Sequence, residues 1–362
     1  MTITAEAQSP TRPALAGAAW PLPGITRAQA QQMFDALAAA LGQDGREGPA
    51  DQPAHSVPAT AAPASAAAGG VSVSSGEAAV DLEASALAER VRPAGPVVSI
   101  LGPLRVVGAT GDAPVARSTG TVSAAQTQRC AALAAFLALH PGASAEAYTA
   151  AFWPGARADG PAAAASRNKL SGQLRRYLGQ DAHGRPFFPV VRPDGYRLHP
   201  AVTTDWTLFG ELVGPSPVTA SDAALVAALR MVRGAPFEHA RPRNVAWADD
   251  LHREMVEAIT AAARELAGRA SRSGHVGHGQ LATRVGRMVD PGDEGLWRAS
   301  LEAEAAAGAR EEVARLVEGL HAYLEAMEAS PEVETVEVIA RLREQGYRMP
   351  GGIDPGPGPG AP

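Results

Sequence analysis

Lysine is almost missing from this chain: Lys169 is the only one among 32 basic residues in a sequence of 362. Arginine therefore carries nearly all of the positive charge. Its planar guanidinium is the better group for bidentate contact with phosphate or guanine. An Ala/Arg/Gly/Pro-heavy composition with so little lysine also matches a GC-rich genome. Cysteine is equally scarce. Cys130 stands alone, so neither an intrachain disulfide nor a cysteine-rich zinc site can form, as expected of a reducing compartment. It sits within an apolar helical run and reads as a buried structural thiol. Aromatics make up 5%, and much of the 46% hydrophobic content is alanine.

Long apolar stretches are lacking too. The longest, Ala131 to Leu139, falls far short of the roughly 18 residues that a bilayer crossing needs. Met1 to Pro10 has no basic patch followed by an apolar core, so no secretory leader is expected. Together these absences point to a cytoplasmic protein with no membrane partner. The motifs of nucleotide and hydrolytic chemistry are missing as well. A Gly-x-x-x-x-Gly-Lys loop would need a lysine that is not there, and no His-Glu-x-x-His, Gly-x-Ser-x-Gly or glycine-rich fingerprint after a strand occurs. This argues against an attached ATPase, and the chain reads as a non-enzyme that needs no cofactor. His275 and His278 have no cysteine or carboxylate at ligand spacing, and read as part of a plain helix–helix turn.

What is present is unevenly placed. The net charge of −6 alone argues against a general nucleic-acid binder. Residues 98–205, however, carry 11 basic and 6 acidic side chains, whereas residues 206–350 carry 16 and 22. The positive excess lies where the helix discussed next is found, as an electrostatic footprint on a polyanion requires.

Three regimes follow one another along the sequence. Residues 1–95 read as a disordered Ala/Pro/Gly/Ser-rich arm, with a short helical island at 26–41 where Met33, Phe34, Leu37 and Leu41 form one stripe. From residue 96 to 205, strands are expected at 97–101 and 104–107, with Val115 starting a third. A helix capped by Ser123 should run to about His140, and a short one should open at Ser144. A third should start at Asp159–Pro161 and stop at Gly179. A hairpin pairing 187–191 with 196–199 around Pro193-Asp194-Gly195 closes the segment. From 206 to 350 only helices are expected, at 223–233, 247–269, 280–289, 294–307, 310–327 and 331–345. Their pairing suggests tetratricopeptide-like stacking. Residues 351–362 form a Pro-Gly tail. The fold class is mainly α with a small β component: a winged helix-turn-helix, a helical repeat domain and a disordered N-terminal arm.

The third helix carries the functional signal. Leu170, Leu174, Tyr177 and Leu178 share one stripe, and Asn168, Lys169, Arg175 and Arg176 fall opposite it. A helix with an apolar back, a basic front and a hairpin behind it is how a winged helix meets DNA. The DNA-contacting residues are therefore read as Arg167, Asn168, Lys169, Arg175 and Arg176 on the helix, with Arg192 and Arg197 on or beside the hairpin. An asparagine amide can read adenine, while arginines on phosphate give affinity and salt dependence. Trp153, Trp206 and Trp247 read as core or junction anchors.

These residues also resemble a known family. Ile100-Leu101-Gly102-Pro103-Leu104, Leu137-Ala138-Leu139-His140-Pro141-Gly142, Phe152-Trp153-Pro154-Gly155, Leu174-Arg175-Arg176-Tyr177-Leu178-Gly179 and Gly195-Tyr196-Arg197-Leu198 resemble a response-regulator-type winged helix. Asp205-Trp206 with Phe209, Val232-Arg233-Gly234-Ala235-Pro236-Phe237, Ala246-Trp247-Ala248 and Asp290-Pro291-Gly292-Asp293-Glu294 resemble the bacterial transcriptional activator domain (BTAD). In this order they are similar to the Streptomyces antibiotic regulatory proteins and related actinobacterial regulators, over residues 97–345. The resemblance implies a transcription regulator whose third helix enters the major groove of double-stranded DNA, and whose helical domain supports homodimerisation or contact with RNA polymerase. Two departures stand out: the helix opens on Ala162 to Ala165, with no base-reading side chains, and Gly172 lies on its exposed face. Two other readings use the same fold: a protein–protein interaction module that has lost DNA binding, and an effector-binding sensor.

Overall fold

The structure, a computed structural model, describes residues 75–116, 120–190 and 195–347. The island at 26–41, the tail at 351–362 and Arg192 lie outside the described residues. The described chain is mainly helical, with one three-stranded sheet. No helix in it is long and apolar enough to cross a membrane.

The first element is α1 (Ser75–Arg90), within the stretch that composition assigns to the disordered arm. Its apolar stripe is short, limited to Val80, Ala84 and Leu87 at i, i+4 and i+7, and so gives only a faint signal in the sequence. Polar groups hold it as well. The Glu77 carboxylate accepts the backbone N–H of His278 at 2.8 Å, and Asp81 sits 3.0 Å from His278 Nε2 and 2.7 Å from Arg230 Nη2. Ala84 joins the main core, with Val80 and Leu87 packed against it.

β1 (Val97–Ser99) is the central strand. β2 (Arg105–Val107) runs antiparallel to it, with Val98 opposite Val106, and β3 (Thr203–Thr204) lies parallel on its other side. The parallel pairing brings in a strand about a hundred residues downstream. Between β1 and β2, Gly102 adopts φ +137°, a conformation that favours glycine. A Cβ there would also press on Arg233 and Gly234.

Three helices follow. α2 (Ala124–Leu139) is capped by the Ser123 hydroxyl, and α3 (Ala145–Phe152) by that of Ser144, as their sequences predict. α2 is buried continuously from Cys130 to Leu137. α4 (Pro161–Leu178) begins one residue later than expected from an aspartate cap. Gly160 is its N-cap, and Asp159 is paired with Arg157 at 3.0 Å instead. Pro161 at the first turn presets a helical φ where no amide partner is needed.

A helix absent from the sequence reading comes next: α5 (Asp205–Val213), capped by the Thr204 hydroxyl. α6 (Asp222–Leu229) is apolar on every side and buried from Ala223 to Leu229, with α1 covering one flank. α7 (Pro242–Val245) and a 3₁₀ turn lead into the long α8 (Asp249–Ser273). α9 (Val276–Val289), α10 (Glu294–Ala306), α11 (Arg310–Ala326) and α12 (Val333–Glu344) follow as packed neighbours. His278, which the sequence places in a turn, lies in the first turn of α9 and is buried.

The main apolar cluster runs across residue 205 without a break, from Ala84 to Leu296. A second cluster, centred on Trp297, Leu316, Leu320 and Ile339, holds α10, α11 and α12 together. Asp205 is the pivot between sheet and helices. Its Oδ1 accepts the Ile100 amide at 2.8 Å, and its Oδ2 takes Arg233 Nη2 at 3.1 Å, while the same Nη2 donates to Ser99 Oγ at 2.7 Å. Arg233 N, Phe237 N and Glu238 N donate to the carbonyls of Leu101, Ile100 and Gly102.

Two outcomes follow. Glu77→Ala leaves the His278 amide without its acceptor and should cost about 1–2 kcal/mol, read from urea unfolding. Burial, against the pull of the Ile100 and Leu101 amides and of Arg233, pushes the Asp205 carboxyl up to about 6. Between its ordinary value of 3.8 and about 6, the folded chain keeps a proton that the unfolded chain has lost. Asp205 therefore contributes most below about pH 4, and that contribution is lost as pH rises through about 6. Relative to Asp205→Asn, the wild type should lose about 2–3 kcal/mol from acid to neutral pH; a pH-independent difference is the contrary result.

Candidate nucleic-acid interface

α4 divides cleanly by periodicity. Ala163, Leu170, Leu174 and Leu178 are buried, and Ala162, Ala165, Asn168, Lys169 and Arg176 are exposed. Its C-terminal end is locked by Gly179 at φ +77° and by Thr110, whose amide donates to Leu178 O and whose hydroxyl donates to Gln180 O at 2.9 Å. A Cβ on Gly111 would overlap the Arg176 carbonyl oxygen, so the 110–111 turn approaches the helix as only glycine allows.

The predicted contact residues do not share one environment. Arg167 points inward. It is 7% exposed, and its Nη1 donates to Thr149 Oγ1 at 2.6 Å and to Ala158 O at 2.9 Å. It ties α4 to α3 and is not available at the helix surface. The signal for this was in the sequence: at 100° per residue, Arg167 falls within the stripe of Leu170, Leu174 and Leu178. Arg175 is half-buried. Its Nε donates to Phe188 O at 2.8 Å and its Nη2 to Pro189 O at 3.2 Å, with the guanidinium over the Phe188 ring. It fastens the helix to the segment behind it.

Asn168, Lys169 and Arg176 remain together on the exposed face. Neither cation forms an ion pair among the described residues. Gly172 lies between them, and a Cβ built on it would meet nothing within 4 Å.

The segment behind α4 is only partly a hairpin. His199 N donates to Phe187 O at 2.8 Å, while Tyr196 pairs with Ala143, on the turn between α2 and α3. Gly142 N donates to Tyr196 O at 2.9 Å, and Tyr196 N to Ala143 O at 3.0 Å. Gly195, at φ +97°, fits closely against the Gly142 carbonyl. The exposed Arg197 reaches over Gly142. The expectation of two mutually paired strands missed this third partner because Ala143 lies more than fifty residues upstream.

The tryptophans anchor as expected. The Trp247 indole donates to Asn244 O at 2.9 Å, and its ring meets Phe136 and Phe237 edge-on, at centroid distances of 5.2 and 5.9 Å. Burial pushes the Cys130 thiol up to about 12, leaving it protonated and unreactive. No cluster of metal-ligating side chains occurs among the described residues.

Arg167→Ala should therefore act on stability, lowering it by about 2–3 kcal/mol by removing two hydrogen bonds of a buried side chain. Lys169→Ala, on the exposed face, should stay within about 0.5 kcal/mol of wild type in the same urea titration. Equal losses in the two variants would contradict this assignment.

No family model matches the chain, and no curated protein does. Among solved structures, it is similar to Mycobacterium tuberculosis EmbR, in a structure of that protein in complex with a low-affinity phosphopeptide. The identity is 20% and the TM-score 0.43, over 71% of this chain and 66% of that one, so the match spans slightly less than two thirds of EmbR's chain.

Proposed function

We propose that the chain is a transcriptional regulator that binds double-stranded DNA. α4 enters the major groove, the 187–199 segment lies against the adjacent backbone as a wing, and the helices from 206 to 350 arrange homodimers or contact RNA polymerase. The observation that carries this reading is the exposed face of α4. Asn168, Lys169 and Arg176 project from a helix whose back is set in the core and whose end is fastened by Thr110, Gly111 and Arg175. Rigid support of this kind is what a reading helix needs, because base contacts depend on placement within a fraction of an ångström. The roles of the residues separate accordingly. Asn168 has the amide geometry for adenine, Lys169 and Arg176 supply charge for phosphate or guanine, and Arg197 and Arg192 supply charge on the wing. Arg167 and Arg175 act by holding the helix in position.

A second reading, a protein–protein interaction module on the same fold, is favoured by that withdrawal of Arg167 and Arg175, which leaves two cations on the exposed face. One experiment separates the two. The full chain is used to select sequences from a random duplex library, and the enriched duplex is titrated by fluorescence anisotropy from about 50 to about 200 mM salt. For a regulator, the enriched duplex outcompetes random DNA, and Lys169→Ala/Arg176→Ala lowers the salt slope by about two while weakening binding. Absence of enrichment and of binding at low salt would sink the DNA reading and favour the interaction module.

A further inference from the structure

A glycine in a helix interior is disfavoured against alanine, because it leaves more backbone freedom to be lost on folding. Such a residue is ordinarily kept where a neighbour crowds it. Gly286 in α9 is such a case, with Leu296 and Ala263 filling the space of a Cβ. Gly172 is the contrary case. It lies well inside the 18 residues of α4, its φ is helical, and a Cβ added to it would meet nothing within 4 Å. The fold of this chain places no demand on it.

Its neighbours show what does. Lys169 lies one turn before it and Arg176 one turn after, so the three fall within about 60° of one another around the helix axis. Both side chains are exposed, and neither is held in an ion pair among the described residues. The rise between Lys169 and Arg176 is about 10 Å, a span that lets both cations converge on one stretch of a polyanion lying across Gly172. Arg175, which could otherwise compete for that stretch, is turned away onto the Phe188 and Pro189 carbonyls.

We propose that Lys169, Gly172 and Arg176 form a seat for the DNA sugar–phosphate backbone, in which the missing Cβ lets a strand touch the helix between the two cations. This rests on the DNA reading above and divides α4 in two. The N-terminal half, with Asn168, faces base edges, where the amide can read an adenine. The C-terminal half clamps the backbone and is indifferent to sequence.

The test is Gly172→Ala in the full chain, titrated by fluorescence anisotropy against two duplexes, one enriched from a random library and one of mixed sequence. Lys169→Ala and Arg176→Ala run beside it. The methyl should keep or raise the melting temperature, since the space for it is open, while weakening both duplexes on the order of tenfold by holding the strand off the cations. The salt slope of Gly172→Ala should match wild type, because no charge is lost, whereas each cation variant should lower it by about one. Wild-type binding with Gly172→Ala within about twofold of it on both duplexes would overturn the seat and leave the DNA reading standing. So would a loss confined to the enriched duplex, which would make Gly172 a point of base contact. Failure of the wild type to bind either duplex at low salt would overturn both proposals together.

Discussion

The Asp205 carboxylate is the interaction on which the arrangement of the chain depends. It is buried at the first turn of α5, accepts the amides at the end of β1 and takes the guanidinium of Arg233. Isolated, a charge so placed would be costly. Surrounded by two backbone amides and an arginine, it becomes a three-way joint between sheet, α5 and the 232–238 loop. Arg233 N, Phe237 N and Glu238 N complete the joint by bonding the backbone of residues 100–102. Because both halves of the chain meet there, the apolar cluster continues across residue 205, and α2 packs against Trp247 from the helical half.

That joint bears on α4 indirectly. α4 is not part of the sheet; it is held from three sides by α3 through Arg167, by the 110–111 turn at its C-terminus, and by Arg175 on the 188–189 carbonyls. Each of these contacts uses a polar group to fix orientation where an apolar contact would permit sliding. What is left exposed is a narrow strip of small and cationic residues on a helix with little freedom to reorient.

Much of this was legible in the chain. Ser123 and Ser144 cap the helices they were expected to cap, Gly179 ends α4, and the long helices from 249 to 344 follow their apolar periodicity to within a few residues. The misses have a common cause. α1 has only a short apolar stripe, Val80, Ala84 and Leu87, and its polar attachments, Glu77 and Asp81, reach a residue some two hundred positions away. α5 is short, and its first residue serves a distant strand. Of the candidate contact residues, Arg167 could have been set aside from periodicity alone, since it sits on the apolar stripe. The binding of Arg175 to carbonyls could not, because its helical position is on the flank and its partners come from the next segment.

By itself, the sequence determined the caps of α2 and α3, the stop of α4, which face of α4 is apolar, and that positive charge collects between residues 98 and 205. These are properties of local spacing, and spacing is written in the chain. The tertiary structure alone decided which arginines remain at the surface, that Ala143 and not a hairpin strand pairs with Tyr196, and that a helix upstream of residue 96 completes the fold. Each of those outcomes rests on a polar group finding a partner outside its own element, from the neighbouring segment to some two hundred residues away. Where that partner lies is set by packing, which no local pattern encodes.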